Sequence, residues 1–162
     1  MPRIRVLVTG VVQGVGFRPF VYRIAQGCAG WVLNRPDGVV AEVEGAREAL
    51  DAFLLALRRD APAPARIRTV EVEEVPEQGP GPFVILPSAP GPDTRPSVPA
   101  DLALCPDCAR ELADPADRRH RYPFTNCTYC GPRFTLIESL PYDRPRTAMK
   151  GFPLCPDCRR EY

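Results

Sequence analysis

The sequence predicts an α+β protein, a βαββαβ domain followed by a small cysteine-rich module. Three observations carry that prediction. Up to Leu86 the apolar positions switch between a period of two and a helical period. Proline then crowds the chain, with eight of the 21 prolines lying between Pro76 and Pro99. Beyond that stretch, six of the seven cysteines fall into three Cys-x-x-Cys pairs. A chain of 162 residues has room for a domain of about 90 residues and a small module besides. The expected divisions are a first domain over 1–90, a proline-rich linker over 91–100, a four-cysteine module over 101–140 and a further cysteine segment over 141–162. A semi-extended linker of this composition would leave the modules largely independent.

Each element has its own signal. Ile4, Val6 and Val8 alternate with Arg3, Arg5 and Leu7, which reads as a strand over Arg3 to Thr9. Phe17, Phe20, Val21, Ile24, Ala25 and Cys28 follow helical spacing, with Pro19 suited to a first turn. This places Cys28 on the apolar face of that helix as a small buried hydrophobe, and Trp31 in the core. Trp31 to Asn34 and Val39 to Val43 are short strands about the turn Pro36-Asp37-Gly38. Ala49, Leu50, Phe53, Leu54 and Leu57 mark a second amphipathic helix. Val70 and Val72 alternate with acidic residues, and Phe83 to Leu86 is a last β run that supplies a possible extra edge strand. The order is that of the ferredoxin-like split βαβ arrangement, two helices covering one face of an antiparallel sheet.

A net charge of +1 with 25% charged residues argues against a dedicated nucleic-acid or membrane-surface protein. No apolar run reaches the roughly 18 residues of a membrane span, and Met1 to Val6 lacks a signal-peptide core. A cytoplasmic location is therefore expected, and in a reducing compartment paired cysteines bind metal or do redox chemistry.

The first strand leads to the first helix through Gly10-Val11-Val12-Gln13-Gly14-Val15-Gly16-Phe17-Arg18. A glycine-rich turn at a helix N-terminus converges amide N–H groups on one point, and the helix dipole adds positive charge. Arg18 stands where loop becomes helix, so its guanidinium can fork onto phosphate oxygens. Gln13 reads as a side chain that stabilises the loop. Alone, such a turn is weak evidence. A second motif, Gly30-Trp31-Val32-Leu33-Asn34-Arg35-Pro36-Asp37-Gly38-Val39, strengthens it. Together, in this order, the two closely resemble the acylphosphatase signatures G-x-V-Q-G-V-x-F-R and G-W-V-x-N-x-x-x-G-x-V, over about residues 3–88. Leu33 departs from the pattern, where a longer polar or basic side chain is more usual.

That resemblance implies an activity: hydrolysis of an acyl phosphate, with Arg18 and Asn34 as catalytic residues. The phosphoryl group would be held by Arg18 and the amides of Gln13, Gly14, Val15, Gly16 and Phe17. Asn34 would orient a water for in-line attack. Neither residue is a conventional base, and phosphoryl transfer through a loose transition state needs mainly positioning and charge.

Cys105-Pro106-Asp107-Cys108 and Cys127-Thr128-Tyr129-Cys130 have the form C-x2-C-x18-C-x2-C, the spacing of a four-thiolate structural zinc site. Neither pair opens a helix after a βαβ strand, which argues against redox use. The pairing of the knuckles, in sequence or crossed, is open from spacing alone. His120, in the basic run Arg118 to Arg121, is a weaker candidate because four thiolates already complete a site. Cys155-Pro156-Asp157-Cys158 repeats the first knuckle 50 residues later, and reads as half of a second, truncated zinc site.

These modules, with the phrase Tyr122-Pro123-Phe124-Thr125-Asn126-Cys127-Thr128-Tyr129-Cys130-Gly131-Pro132-Arg133-Phe134-Thr135, resemble the N-terminal region of the HypF family, the carbamoyltransferases of [NiFe]-hydrogenase maturation. The resemblance implies carbamoyl phosphate as substrate, with ATP and the partner HypE engaged by domains absent from this sequence, so that the chain carries at most the hydrolytic first step. Two other readings are a free-standing acylphosphatase with a zinc-binding tail and a zinc-dependent binding module. The near-neutral charge counts against the last of these as a nucleic-acid binder.

Overall fold

Five strands form one sheet in the order β4-β1-β3-β2-β5. The computed structural model describes residues 1–90, 102–125, 127, 130, 134–141 and 143–161. The expected linker over 91–100 lies outside the described residues, as do Asn126, Thr128, Tyr129 and 131–133. The strands are β1 (Arg3–Val11), β2 (Ala29–Arg35), β3 (Gly38–Glu44), β4 (Arg66–Val75) and β5 (Phe83–Ile85). Helix α1 (Phe17–Ile24) follows β1, and α2 (Arg47–Arg59) follows β3. Strands β1, β2, β3 and β4 pair antiparallel, and β5 is the extra edge strand, parallel to β2. This is the expected α+β, ferredoxin-like arrangement.

Period two sorts the side chains between two faces. Ile4, Val6 and Val8 of β1, Val32 of β2, and Val39, Ala41 and Val43 of β3 pack against Phe17, Phe20 and Val21 of α1 and Leu50, Phe53 and Leu57 of α2. Two expectations are corrected here. Trp31, next to inward Val32, falls on the opposite face and is only partly buried. Helix α1 ends at Ile24, so Cys28 lies beyond it in the approach to β2; it is nonetheless buried in the core, which pushes its thiol pKa up.

The face opposite the helices is tied by charge. Arg3 bridges Glu42 at 2.7 Å and Glu44 at 3.1 Å, and Arg5 bridges Glu42 at 2.7 Å and Glu73 at 2.9 Å. Glu44, 1% exposed, also accepts the backbone N–H groups of Gln78 and Gly79 at 2.8 and 2.9 Å. The Gln78 amide, then Arg3 and the Gly79 amide, hold the Glu44 carboxyl below its usual range despite burial. Burial opposes ionisation of Glu42 too, but the bonds from Arg3 and Arg5 outweigh it and lower that pKa as well.

Both folded pKa values lie below the ordinary 4.5, so this stabilisation is complete above that pH and is lost as pH falls through the folded values. Melting followed by Trp31 fluorescence should therefore give a Tm that is flat near neutrality and declines below about pH 4.5. Glu44→Gln should lower Tm near neutrality and flatten that acid decline. An acid profile unchanged by the substitution would remove Glu44 as its source.

In the C-terminal half, helix α3 (Pro106–Ala113) carries Cys108 in its first turn, and helix α4 (Pro156–Glu161) repeats that plan. Between them, Phe134–Leu136, Arg144–Arg146 and Ala148–Gly151 form short 3₁₀ turns. A bridge between Ile137 and Thr147 ties them into one unit, helped by the Glu138 N–H donating to the Arg146 carbonyl at 3.0 Å. Among the described residues, no helix is long and apolar enough to cross a membrane.

Candidate active site and metal centre

The loop between β1 and α1 takes its shape from two glycines. Gly14 (φ 71°) and Gly16 (φ 73°) both occupy the left-handed region, where a side chain would be strained. Gly16 is also the residue that caps α1, and its carbonyl accepts the Phe20 N–H at 3.1 Å. Val12, Val15 and Phe17 are each 1% exposed and anchor the loop to the core. The Gln13 side chain turns inward, donating from Nε2 to the carbonyls of Arg35 at 2.6 Å and Gly38 at 3.2 Å. It thus pins the loop to the β2–β3 hairpin, in keeping with a structural side chain. That hairpin is itself braced by Arg35, whose Nε donates to Asp37 at 2.9 Å.

Strand parity brings Asn34 to the same place. It shares a face with Val32, the helix side, and is 1% exposed. With its amide oxygen turned toward Arg18, as the surrounding donors require, Asn34 accepts from Nε at 3.1 Å and Nη2 at 3.2 Å. A strand residue and the second residue of α1 are thereby locked together at the mouth of the glycine loop.

Two further residues at this site have no signal in the local sequence. Asp143 Oδ1 accepts from Arg18 Nη2 at 2.9 Å, and Ser88 Oγ donates to Asp143 Oδ2. Ser88 arrives because the chain continues alongside β2 after β5. The Leu86 N–H donates to the Val32 carbonyl at 2.9 Å, and the Ala89 N–H to the Asn34 carbonyl at 3.0 Å. The two halves therefore touch at this site: a carboxylate from the C-terminal segment sits on Arg18.

Cys105, Cys108, Cys127 and Cys130 converge, all four sulfurs lying within 4.8 Å of one another. Neighbouring Sγ atoms are 3.5 Å (Cys105 to Cys127) and 3.9 Å (Cys127 to Cys130, Cys130 to Cys108) apart. Tetrahedral zinc with bonds of about 2.3 Å requires sulfurs about 3.8 Å apart, so the set fits a structural zinc ion. The Cys127 N–H points at Cys130 Sγ (3.4 Å), which favours thiolate there. Burial first, and then the three neighbouring sulfurs, drive the Cys108 thiol pKa far upward. A cation would relieve that crowding of sulfurs, and the convergence of these four cysteines favours knuckles paired in sequence. His120 is not in the cluster; its N–H donates to the Asp117 carbonyl at 2.9 Å. Cys155 and Cys158 form a matching knuckle, with the Cys158 N–H 3.5 Å from Cys155 Sγ, and belong to no ligand cluster among the described residues.

Two family models match the chain. The acylphosphatase family model matches residues 4–85, and the HypF finger model matches residues 104–137. An acylphosphatase of Thermus thermophilus is 46% identical over 82 residues, which cover 49% of this chain and 92% of that protein. The carbamoyltransferase HypF2 of Cupriavidus necator is 50% identical over 157 residues, covering 94% of this chain. The chain spans about a fifth of the length of such relatives, 20% in that case. Among solved structures, full-length HypF in a phosphate- and nucleotide-bound form superposes with a TM-score of 0.92 at 45% identity, covering 99% of this chain and 22% of that one.

Proposed function

Over residues 4–85 the chain belongs to the acylphosphatase family, and from that premise we propose that it hydrolyses acyl phosphates at Arg18 and Asn34, with carbamoyl phosphate as its substrate. The observation that carries this is the locked pair: a guanidinium and a buried carboxamide, 3.1 Å apart, at the end of a glycine-rich loop that leads into a helix.

Each group has a distinct task. The phosphoryl oxygens sit on the amides from Gln13 to Phe17 and on Arg18, where the α1 dipole and the guanidinium offset their charge. The Asn34 oxygen is taken by Arg18, so its amide nitrogen is the end that holds the attacking water. Water adds to phosphorus in line with the acyl oxygen, the P–O bond breaks, and the carboxylate or carbamate departs with the bonding pair. That leaving group takes up the water's proton, so no side chain need act as a base.

Support for carbamoyl phosphate comes from the relatives. Those matched across both modules are carbamoyltransferases, whereas the acylphosphatases align with the N-terminal half alone. In a whole protein of that kind, carbamate made here would pass to further domains for activation with ATP and transfer to HypE. The zinc holds the finger and takes no part in the hydrolysis. A reducing cytoplasm, which keeps the four thiols free to bind it, is the proposed location.

The test is phosphate release from carbamoyl phosphate by the zinc-loaded chain. Saturable release is expected, inhibited competitively by inorganic phosphate and persisting in EDTA. A folded, zinc-loaded chain with no release above background would overturn the proposal.

A further inference from the structure

Arg18 is the meeting point of three parts of the chain. A planar guanidinium presents its N–H groups in pairs along its edges. Asn34 spans Nε and Nη2, so the Nε–Nη2 edge faces the carboxamide. Asp143 takes the remaining hydrogen of Nη2, at 2.9 Å, and therefore stands on the Nη1–Nη2 side. That is the edge on which a phosphoryl group would form its two parallel bonds. Arg18 and Asp143 are 22% and 23% exposed, so solvent weakens the pair only in part.

The carboxylate is held there from both sides. Ser88 donates to its other oxygen, and Ser88 is fixed by the run of backbone bonds to β2. The Asp143 carbonyl accepts the Arg146 N–H at 2.8 Å, in the turn that the Ile137–Thr147 bridge ties to the finger. The acylphosphatase match ends at residue 85, before either Ser88 or Asp143. The contact is thus an addition to the acylphosphatase domain.

We propose that Asp143 is a further residue of the phosphate site, a resident anion that the substrate's phosphoryl group must displace from Arg18. This rests on reading Arg18 as the phosphoryl-binding side chain. Two anions cannot share one half-buried guanidinium edge without strong repulsion, so phosphate affinity is set partly by how firmly Ser88 and the 143–147 turn hold the carboxylate. The C-terminal module thereby tunes the N-terminal site.

The experiment is calorimetric titration of the zinc-loaded full chain with inorganic phosphate, beside the KM for carbamoyl phosphate. Asp143→Asn keeps the shape and removes the charge. It should tighten phosphate binding about tenfold and lower KM in parallel, with a smaller difference at high salt. Ser88→Ala, which only loosens the carboxylate, should act in the same direction by about threefold. Damage to the fold would weaken binding, so tightening cannot come from a structural defect. Unchanged or weaker phosphate binding in both variants would overturn the proposal and make Asp143 a brace for Arg18. Arg18→Ala separates the two levels: phosphate binding indifferent to that substitution would instead remove the reading of Arg18 itself.

Discussion

Replacing Arg18 with alanine should lower kcat/KM for carbamoyl phosphate by about a thousandfold and weaken inorganic phosphate binding as well. On the proposed mechanism the guanidinium meets the phosphoryl charge in both ground and transition states, so its loss should appear in KM as well as in kcat. Asn34→Ala should lower kcat by about 10²–10³-fold with a smaller change in KM. The two effects will not add. Asn34 holds Nε and Nη2 of Arg18 at 3.1 and 3.2 Å, so each variant disturbs its partner. The double variant should therefore be little worse than Arg18→Ala. Arg18→Lys should not rescue activity, because an ammonium cannot fork onto phosphate while also bonding Asn34. Steady-state kinetics with phosphate inhibition constants check all four variants. Full activity in Asn34→Ala would remove the assigned role.

Removing zinc should have the other large effect, and on a different part of the chain. Structural zinc in small finger peptides contributes about 10–16 kcal/mol, and the finger has little core to replace it. Of its large apolar side chains, Phe124 and Phe134 are exposed. The chain should carry one zinc ion, and Cys127→Ser with Cys130→Ser should carry none. Chelation should unfold α3 while leaving the N-terminal sheet in place. Trp31 in β2 is the only tryptophan, so its fluorescence reports on that sheet alone. Metal analysis and circular dichroism, read against Trp31 emission, test both points. A stoichiometry near two, or loss of the Trp31 signal on chelation, would contradict them.

The parts legible in the sequence are those whose cause is local. Alternation over Ile4 to Val8 gives β1, helical spacing from Phe17 gives α1, and Pro36-Asp37-Gly38 gives the hairpin. The glycine loop and the C-x2-C-x18-C-x2-C spacing are local as well, which is why the loop and the four-cysteine cluster could be located from sequence. Strand parity was available but needed a register. Once Val32 faces the helices, Asn34 must face Arg18 and Trp31 must face away. Cys28 was misplaced for a related reason: helical spacing ran on past Ile24, where the helix stops. The Asp143 contact had no such signal. It joins positions 125 residues apart, through a segment of short turns with no apolar period. Only the tertiary fold brings that carboxylate to Arg18.

The central claim, that water held at Asn34 attacks phosphorus on Arg18, is tested most directly by turnover of acetyl phosphate in ¹⁸O-labelled water, comparing the full chain with its Asn34→Ala variant. The label should enter inorganic phosphate and not acetate, at a rate that collapses in the variant. Label in acetate would mean attack at carbon, and an undiminished rate in the variant would mean that Asn34 does not hold the water; both results would contradict the account.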